Sequence, residues 1–318
     1  PVFCLLVPLS LLLGEQSLPF STVMSSLHGQ CAGADCVIVT DARVPRTLAG
    51  LLAGMALGLS GALMQILTRN PLADPGILGV NAGAAFAVVI GIAFFGATDV
   101  SSYLWFAFAG ALLATLLVAM IGALGRGQLH PVRLTLAGIA LGAVLEGMSS
   151  GISLLNPDVY DQLRFWQAGS LDIRNIAVIK TVTPPVIFAV VLSLLMTRSL
   201  NNLSMGSELA TALGTKIVNT QLLGLLAITL LCGSATAAVG PIAFIGLMVP
   251  HIARWLCRSD PRWMLPWTLV LTPTLLLAAD IAGRFLVPGE LRVSVVVAFI
   301  GAPALIFLVR RPGGLRRG

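Results

Sequence analysis

The sequence predicts an all-α integral membrane protein that forms a single domain over residues 1–318. Hydrophobic residues make up 57% of the chain, charged residues make up 10%, and the mean hydropathy is +0.96. A soluble globule needs more polar surface than this composition supplies. The apolar residues fall into ten runs separated by polar or cationic segments. We therefore expect about ten transmembrane helices.

A helix needs roughly 20 residues to cross a bilayer. The first run is too short to span, and since the chain opens on Pro1 we expect an incomplete N-terminus. Only Gly240-Pro241 separates the seventh run from the eighth. The runs lie near residues 1–13, 44–67, 77–96, 103–124, 134–155, 176–197, 221–239, 242–257, 266–287 and 293–309.

The distribution of cations predicts the orientation, because cytoplasmic loops carry an excess of Lys and Arg. With the basic C-terminal tail in the cytoplasm, most of the loop cations fall on the same side, and acids collect on the other. The pI of 9.6 therefore reflects membrane topology, and we predict no nucleic-acid partner. The loop cations on the tail's side are Arg69, Arg126, Arg133, Arg198, Lys216, Arg254, Arg258 and Arg262.

Glycines recur at four-residue spacing in two of the runs. Small residues on one helical face let helix backbones approach closely in lipid. We expect tight helix packing at these positions. They are Gly50, Gly54 and Gly58 in the second run, and Gly138, Gly142, Gly147 and Gly151 in the fifth.

Two cysteines, Cys31 and Cys36, lie in the external loop between the first and second runs. An oxidising periplasm permits a disulfide across this C-x4-C spacing. A metal ion would need more ligands than this pair offers. We therefore expect a disulfide and no metal site.

A polar corner broken by prolines at residues 68–76 joins the second and third runs. Asn70-Pro71 and Asp74-Pro75 each place a residue before proline, which disfavours helical geometry at that residue. Such a short corner between two apolar runs is typical of a membrane bundle. Asn70 is expected to cap the turn ahead of Pro71.

The loop at residues 198–220 is predicted to contain a short helix. Ser207 and Glu208 favour its start, and Gly214 favours its end. The chain has no G-x-x-x-x-G-K-[ST] phosphate-binding loop, and Gly214-Thr215-Lys216 lacks the upstream glycines. We therefore predict no ATP hydrolysis and no cofactor on this chain.

A few polar groups lie inside apolar runs. Asp280 and Arg284 are spaced i, i+4, so a structural ion pair is one interpretation. Glu146 has no obvious local partner. It either hydrogen-bonds across helices or lines a transport pathway together with Ser149 and Ser150.

Two other classes of membrane protein share single features with this chain. Gly58-Leu59-Ser60-Gly61 matches the G-x-S-G motif of rhomboid intramembrane proteases, but the residues after His251 are not small enough for a catalytic pair to approach. An ion-driven secondary transporter would need more buried acids than Glu146 and Asp280. The sequence favours neither class.

Several segments together resemble the permease family of bacterial ABC importers for iron–siderophores and cobalamin. They are RxPR and NPLADPG within Arg43–Gly83, and Ser207–Gly214, Gly240–Arg254 and Ala279–Pro303. Cys31–Cys36 and Asn156–Asn175 are most similar to ferric enterobactin permeases. The resemblance implies a vitamin-B12-importer-type bundle in the bacterial inner membrane that imports a ferric siderophore by alternating access. A cobalamin or haem importer permease is the alternative.

The same resemblance implies roles for individual residues. Asn70 and Leu72 would form a cytoplasmic gate. Arg43, Arg46 and Arg284 would form an exposed basic patch that docks a periplasmic binding protein. Ser207, Glu208, Ala210 and Gly214 match a coupling loop that seats in an ATPase.

The implied partners are a second, distinct permease, two ATPase subunits that carry ATP and Mg, and the periplasmic siderophore-binding protein. The lipid bilayer surrounds the spans, and nothing points to a nucleic acid.

Overall fold

Apolar helices dominate the computed structural model, which describes residues 2–14, 18–30, 33–97, 99–123, 131–257, 260–287 and 289–310. Within these ranges ten apolar helices match the ten predicted runs. They are α1 (Val2–Leu12), α4 (Val44–Thr68), α5 (Val80–Phe95), α6 (Val100–Ala123), α7 (Pro131–Leu155), α9 (Ile176–Leu195), α12 (Ile217–Val239), α13 (Ile245–Cys257), α14 (Pro261–Leu286) and α15 (Val293–Arg310).

Shorter helices lie between the apolar ones in the described part of the chain. They are α2 (Phe20–Leu27), α3 (Ala34–Val37), a π-helical turn (Ile38–Arg43), a 3₁₀ turn (Pro75–Leu78), α8 (Pro157–Gln167), α10 (Thr197–Ser204) and α11 (Ser207–Ala212).

Six of the apolar helices are long enough to cross a membrane, and four are shorter. The short ones are α1, α5, α13 and α15. The prediction of an all-α membrane bundle is confirmed, and the short α5 and α13 each follow a sharp corner.

The second span begins earlier than predicted. α3, the π turn and α4 form a continuous helical segment of 35 residues, Ala34–Thr68, rather than a helix starting near residue 44. Pro45 lacks an N–H, which would interrupt the regular hydrogen-bond ladder of the preceding turn. The wider π turn just before it accommodates this interruption, so the helix continues.

The α4 helix lies at the centre of the bundle and packs against α14, α12 and α13. Its glycines make this closeness possible. A Cβ on Gly54 would lie 2.6 Å from the Cα of Pro273 in α14, and one on Gly58 would lie 1.9 Å from the Thr272 hydroxyl. The predicted glycine face of the second span is therefore a helix-packing face.

Replacing Gly61 by alanine is expected to destabilise the bundle by about 1–3 kcal/mol, the usual cost of overpacking. A Cβ there would lie 1.8 Å from the backbone oxygen of Gly246, so α4 and α13 must separate. Thermal unfolding of the purified protein in detergent measures the effect. Gly147→Ala is the matched control, since nothing lies within 4 Å of its Cβ and alanine favours helix. Equal unfolding temperatures for the two variants would contradict this packing account.

The glycines of the fifth span behave differently from one another. A Cβ on Gly138 would lie 1.7 Å from the backbone oxygen of Ile77, so α7 rests directly on the corner before α5. A Cβ on Gly147 or Gly151 would have no atom within 4 Å, so these two glycines do not pack against another described part of this chain. Within this chain the prediction of tight packing is therefore right for Gly138 and wrong for Gly147 and Gly151.

Candidate functional site

A cavity of about 680 Å³ lies between α5, α7 and α8, beside the corner that joins α12 to α13. Its lining is mainly apolar but includes carboxylate, hydroxyl and amide groups from three helices. The polar lining residues are Asn81, Glu146, Ser149, Ser150, Ser153, Tyr160 and Gln167. Such a concentration of polar groups is unusual in an otherwise apolar bundle and marks a candidate site.

All three residues predicted to line a pathway contribute to this cavity. Glu146 and Ser150 are exposed on α7, whereas Ser149 is buried and donates its hydroxyl to the Leu145 carbonyl at 2.7 Å. The buried Ser153 hydroxyl, also on the lining, has no hydrogen-bond partner within the described ranges. The geometry thus brings the predicted residues together, while their role in transport stays a prediction.

Sequence reasoning missed four polar lining residues, of which Ser153 is described above. The Asn81 side-chain oxygen accepts a hydrogen bond of 2.9 Å from the Thr236 hydroxyl, which ties α5 to α12 beside the cavity. Tyr160 and Gln167 come from α8, in the external segment that follows α7. An amide within an apolar run was the available signal for Asn81, and only the tertiary fold turns α8 towards the cavity.

The corner at residues 69–79 is held by side chains that bond to nearby backbone. Asn70 Oδ1 accepts the Leu72 N–H at 3.0 Å, and Asp74 Oδ1 accepts the Gly76 N–H at 2.7 Å. Asn70 therefore caps a turn, as expected from Pro71. The Leu72 side chain is 40% exposed, so it projects from the corner rather than packing beneath it.

The arginines predicted to form an exposed docking patch are buried instead. Relative exposure is 6% for Arg43, and the side chains of Arg46 and Arg284 are 11% and 2% exposed. The prediction of an exposed basic patch is therefore wrong for this structure. The physical reason is that α1 and two acids surround the guanidinium groups.

Asp280 is the centre of this ion network. Arg46 contacts its carboxylate at 2.9 Å and Arg284 contacts it at 2.6 Å. Arg46 also binds Glu290 at 2.6 Å, and this acid is 30% exposed. The predicted i, i+4 pair of Asp280 and Arg284 is present, but it belongs to a larger cluster that joins α4, α14 and the segment before α15.

The end of α1 completes the network. Arg284 donates to the carbonyls of Ser10 at 2.8 Å and Leu13 at 2.6 Å, and Arg43 donates to the carbonyls of Leu11 and Leu12. These carbonyls have no intrahelical partner at a helix end. The arginines therefore anchor α1 to the bundle.

The predicted coupling loop contains the expected short helix, α11. The Gly214 N–H bonds to the Thr211 carbonyl and the Thr215 N–H bonds to the Ala210 carbonyl, both at 2.9 Å. With Gly214 at φ +77°, this is a Schellman ending. Asn202 in α10 donates to the Thr215 hydroxyl at 2.9 Å, so α10 and α11 form a braced pair.

Burial separates the predicted coupling residues into two groups. Ala210 is fully buried within this chain and cannot itself contact another subunit, whereas Glu208 and Gly214 are exposed and Ser207 is half-buried. Leu209 and Leu213, which the prediction did not name, are 48% and 55% exposed on the same short segment. Nothing in the apolar sequence distinguishes these two leucines from buried ones.

The structure describes only one of the two cysteines of the predicted disulfide. Cys36 is disulfide-bonded. Its expected partner, Cys31, lies outside the described residues. The pairing of these two cysteines therefore stays a prediction.

A model of the FecCD transport family matches residues 2–311 of this chain. The chain belongs to the FecCD transport family. The match covers the cavity, the corner, the ion network and the braced pair of α10 and α11.

Two permeases of known transport systems are similar to this chain in sequence. The FecCD chain is 69% identical over 303 residues to the ferric enterobactin transport system permease protein FepD of Escherichia coli strain K12, covering 95% of this chain and 91% of that one. It is 35% identical over 299 residues to the permease FepG of the same transport system and organism, covering 93% and 89%.

A solved structure reported as an inward-facing conformation of a metal-chelate type ABC transporter is also similar. Its TM-score is 0.83 at 27% identity, and the match covers 98% of this FecCD chain and 96% of the other chain. The chain is accordingly a multi-pass transport permease and not an enzyme.

The contacts of Ser60 agree with this assignment. Its hydroxyl is fully buried and donates to the Leu57 carbonyl at 3.0 Å. His251 instead stacks edge-on against Trp255, with ring centroids 5.7 Å apart. The G-x-S-G motif of this FecCD permease is therefore a packing feature rather than half of a protease dyad.

Proposed function

We propose that this FecCD permease moves a ferric siderophore, ferric enterobactin, from the periplasm to the cytoplasm as one subunit of an ATP-driven importer. The observation that carries the proposal is the cavity of about 680 Å³ on α5, α7 and α8, with carboxylate, hydroxyl and amide groups in its lining, in a chain 69% identical to a ferric enterobactin permease. Its volume falls in the range of ligand sites, roughly 300–1,000 Å³.

The exposed face of α7 supports pairing with a second permease. Only 22% of the most apolar window of this helix is buried within the chain, although α7 carries Glu146 and Ser150 on the cavity. A charged residue facing lipid is costly, so a partner subunit or water must cover this face. Because FepD and FepG are permeases of one transport system, we propose a heterodimer with a related permease.

The remaining partners follow from the importer type. We propose two ATPase subunits, carrying ATP and Mg, seated on α10 and α11, and a periplasmic siderophore-binding protein at the opposite end. The complex would lie in the bacterial inner membrane. Since Glu290 is the most exposed member of the ion network, we propose that the binding protein contacts the surface around it, while Arg43, Arg46 and Arg284 hold that surface in place.

The proposed mechanism is alternating access. A ligand or nucleotide shifts such an equilibrium only by binding the two states with different affinity. ATP-driven closure of the ATPases would move α11, and the braced α10 would pass this movement to α4 and α14, which it contacts. The corner at residues 69–79 ends α4, so Asn70 and Leu72 are suitably placed to form the cytoplasmic gate.

Growth on a single iron source tests the proposed function. A strain lacking this gene should fail to grow with ferric enterobactin as the only iron source and should grow with a chelate that uses another importer. Expression of the intact chain should restore growth. Undiminished uptake of ⁵⁵Fe-labelled enterobactin in the deletion strain would refute the proposed substrate.

Leu72→Ala is expected to leave a leaky or poorly coupled importer, because it removes an apolar plug from the proposed gate. In liposomes that contain the complete importer, more ATP should be hydrolysed for each chelate imported. Leu72→Met retains most of the apolar volume and is the control. An unchanged ratio of ATP to chelate in Leu72→Ala would place the gate elsewhere.

A further inference from the structure

A cluster of cationic and aromatic side chains borders the polar cavity at α8. We call it the α8 rim and define it as Tyr160, Arg164, Phe165 and Arg292. Tyr160 and Phe165 are 50% and 58% exposed, which is unusual for large aromatic residues on a surface outside the predicted spans. The proposed mechanism does not use Arg164, Phe165 or Arg292.

The guanidinium groups of the rim lie over aromatic rings. The Arg164 guanidinium carbon lies 5.4 Å from the Phe165 ring centroid and 6.0 Å from that of Tyr160. The guanidinium carbon of Arg292 lies 5.1 Å from the Phe165 centroid, and its Nη1 donates to the Phe165 carbonyl at 2.6 Å. Both contacts with Phe165 are within the 6 Å range of a cation–π interaction. The rim is thus held together by its own contacts.

The charge of the rim is only weakly neutralised. Arg164 has Asp161 at 3.5 Å, but the two side chains are 60% and 63% exposed, so solvent screens this pair. Within the described ranges no carboxylate lies within 4.0 Å of the Arg292 guanidinium. The two guanidinium groups of the rim therefore carry more positive charge than Asp161 offsets.

The rim and the cavity share one helix. Tyr160, Leu163 and Gln167 line the cavity at i, i+3 and i+7 of α8, and Arg164 directly follows Leu163. Tyr160 therefore belongs both to the rim and to the cavity lining, which places the rim at the α8 edge of the cavity. Glu146 is the carboxylate of the lining.

We propose that the α8 rim is a binding site for an anionic, aromatic iron chelate at the mouth of the cavity. This inference rests on the proposed function and assigns a ligand class to a separate part of the protein. In a ferric tris-catecholate, the deprotonated oxygens carry more negative charge than the ferric ion carries positive charge. Guanidinium groups complement that charge, and exposed aromatic faces complement the catechol rings.

The opposite charges of the rim and the cavity explain why the chelate binds at the mouth of the cavity. Glu146 repels an anionic chelate, whereas Arg164 and Arg292 attract it. The chelate is therefore retained at α8 when it leaves the binding protein, and it does not bind tightly inside the cavity. A transporter needs its substrate bound weakly enough to be released, which this arrangement provides.

Import kinetics in liposomes test the rim. The complete importer, with the partner permease, ATPases and binding protein, is supplied with ferric enterobactin at limiting concentration. Arg164→Gln should lower the initial import rate by about fivefold to tenfold, the size expected for losing a charge over aromatic rings. Arg164→Lys should retain a larger part of the rate because it keeps the charge.

Arg174→Gln is the matched control. Arg174 lies in the same external segment, is 78% exposed and pairs with Asp172 at 3.6 Å, but it is not part of the α8 rim. Its removal should leave import unchanged. Affinity of the chelate-free binding protein for the importer should also be the same in Arg164→Gln and in the unsubstituted complex.

Three results would overturn the assignment. Unchanged import by Arg164→Gln would show that the rim does not bind the chelate. A matching loss of affinity for chelate-free binding protein would make the rim a protein-docking surface, and a defect present only with anionic lipids would make it a headgroup contact. If the unsubstituted importer moves no ferric enterobactin, the proposed function itself fails, and the rim loses its proposed ligand with it.

Discussion

Asp280→Ala is expected to be the most damaging single substitution in this permease, with a loss of about 3–5 kcal/mol in stability. Asp280 is 1% exposed, and its carboxylate oxygens lie 2.9 Å from a guanidinium nitrogen of Arg46 and 2.6 Å from one of Arg284. Removing its carboxylate leaves Arg284 as a buried cation without an acid, while Arg46 keeps Glu290. The amount of folded protein in the membrane and its thermal unfolding in detergent measure the loss.

Two further variants separate the lost ion pair from general disruption. Asp172→Ala removes an exposed acid from its pair with Arg174 and should change stability by less than about 1 kcal/mol. Asp280→Leu combined with Arg284→Leu removes both charges of this pair and should recover a large part of the stability, because apolar residues often replace buried pairs without loss. A single Asp280→Ala variant that unfolds like the unsubstituted protein would contradict the network.

Leu209→Glu is expected to reduce import by at least about tenfold while the permease remains folded. The Leu209 side chain projects from α11 and is 48% exposed, so this chain does not bury it. If the ATPase covers it, the substitution places a charge in an apolar contact, which is costly without a partner. Import into liposomes and ATPase activity stimulated by the binding protein should fall together.

Leu209→Met is the control for this prediction, because it keeps an apolar side chain of similar volume. It should import at nearly the unsubstituted rate. Unfolding temperature should be the same in both variants, since Leu209 lies outside the buried core. Normal import by Leu209→Glu would mean that the ATPase does not seat on this face of α11.

The sequence predicts local features of this protein well. Ten apolar runs correspond to the ten apolar helices of the described chain, and six of these helices have the length that a bilayer requires. Gly214 ends α11 as expected, since a left-handed residue closes a helix most easily when it is glycine. Glu146, Ser149 and Ser150 share the cavity because polar groups inside an apolar run have few other places to face.

Features that depend on distant segments were not predictable. The spacing of Asp280 and Arg284 indicates a pair, but nothing in it shows that carbonyls of residues 10–13 approach from α1. Without those carbonyls, arginines at the ends of apolar runs are typical of a surface. Ala210 and Leu209 are likewise neighbours in an apolar sequence, and only the packing of α11 buries one and exposes the other.

Reconstitution of the purified chain, first alone and then with its proposed partners, tests the central claim most directly. We expect the permease alone in liposomes to hydrolyse no ATP and to import no ferric enterobactin. Adding the second permease, the ATPase subunits and the binding protein should produce import that requires ATP on the side of the membrane where the ATPase subunits lie. ATP turnover by the lone chain, or import that continues without ATP under an ion gradient, would contradict the account.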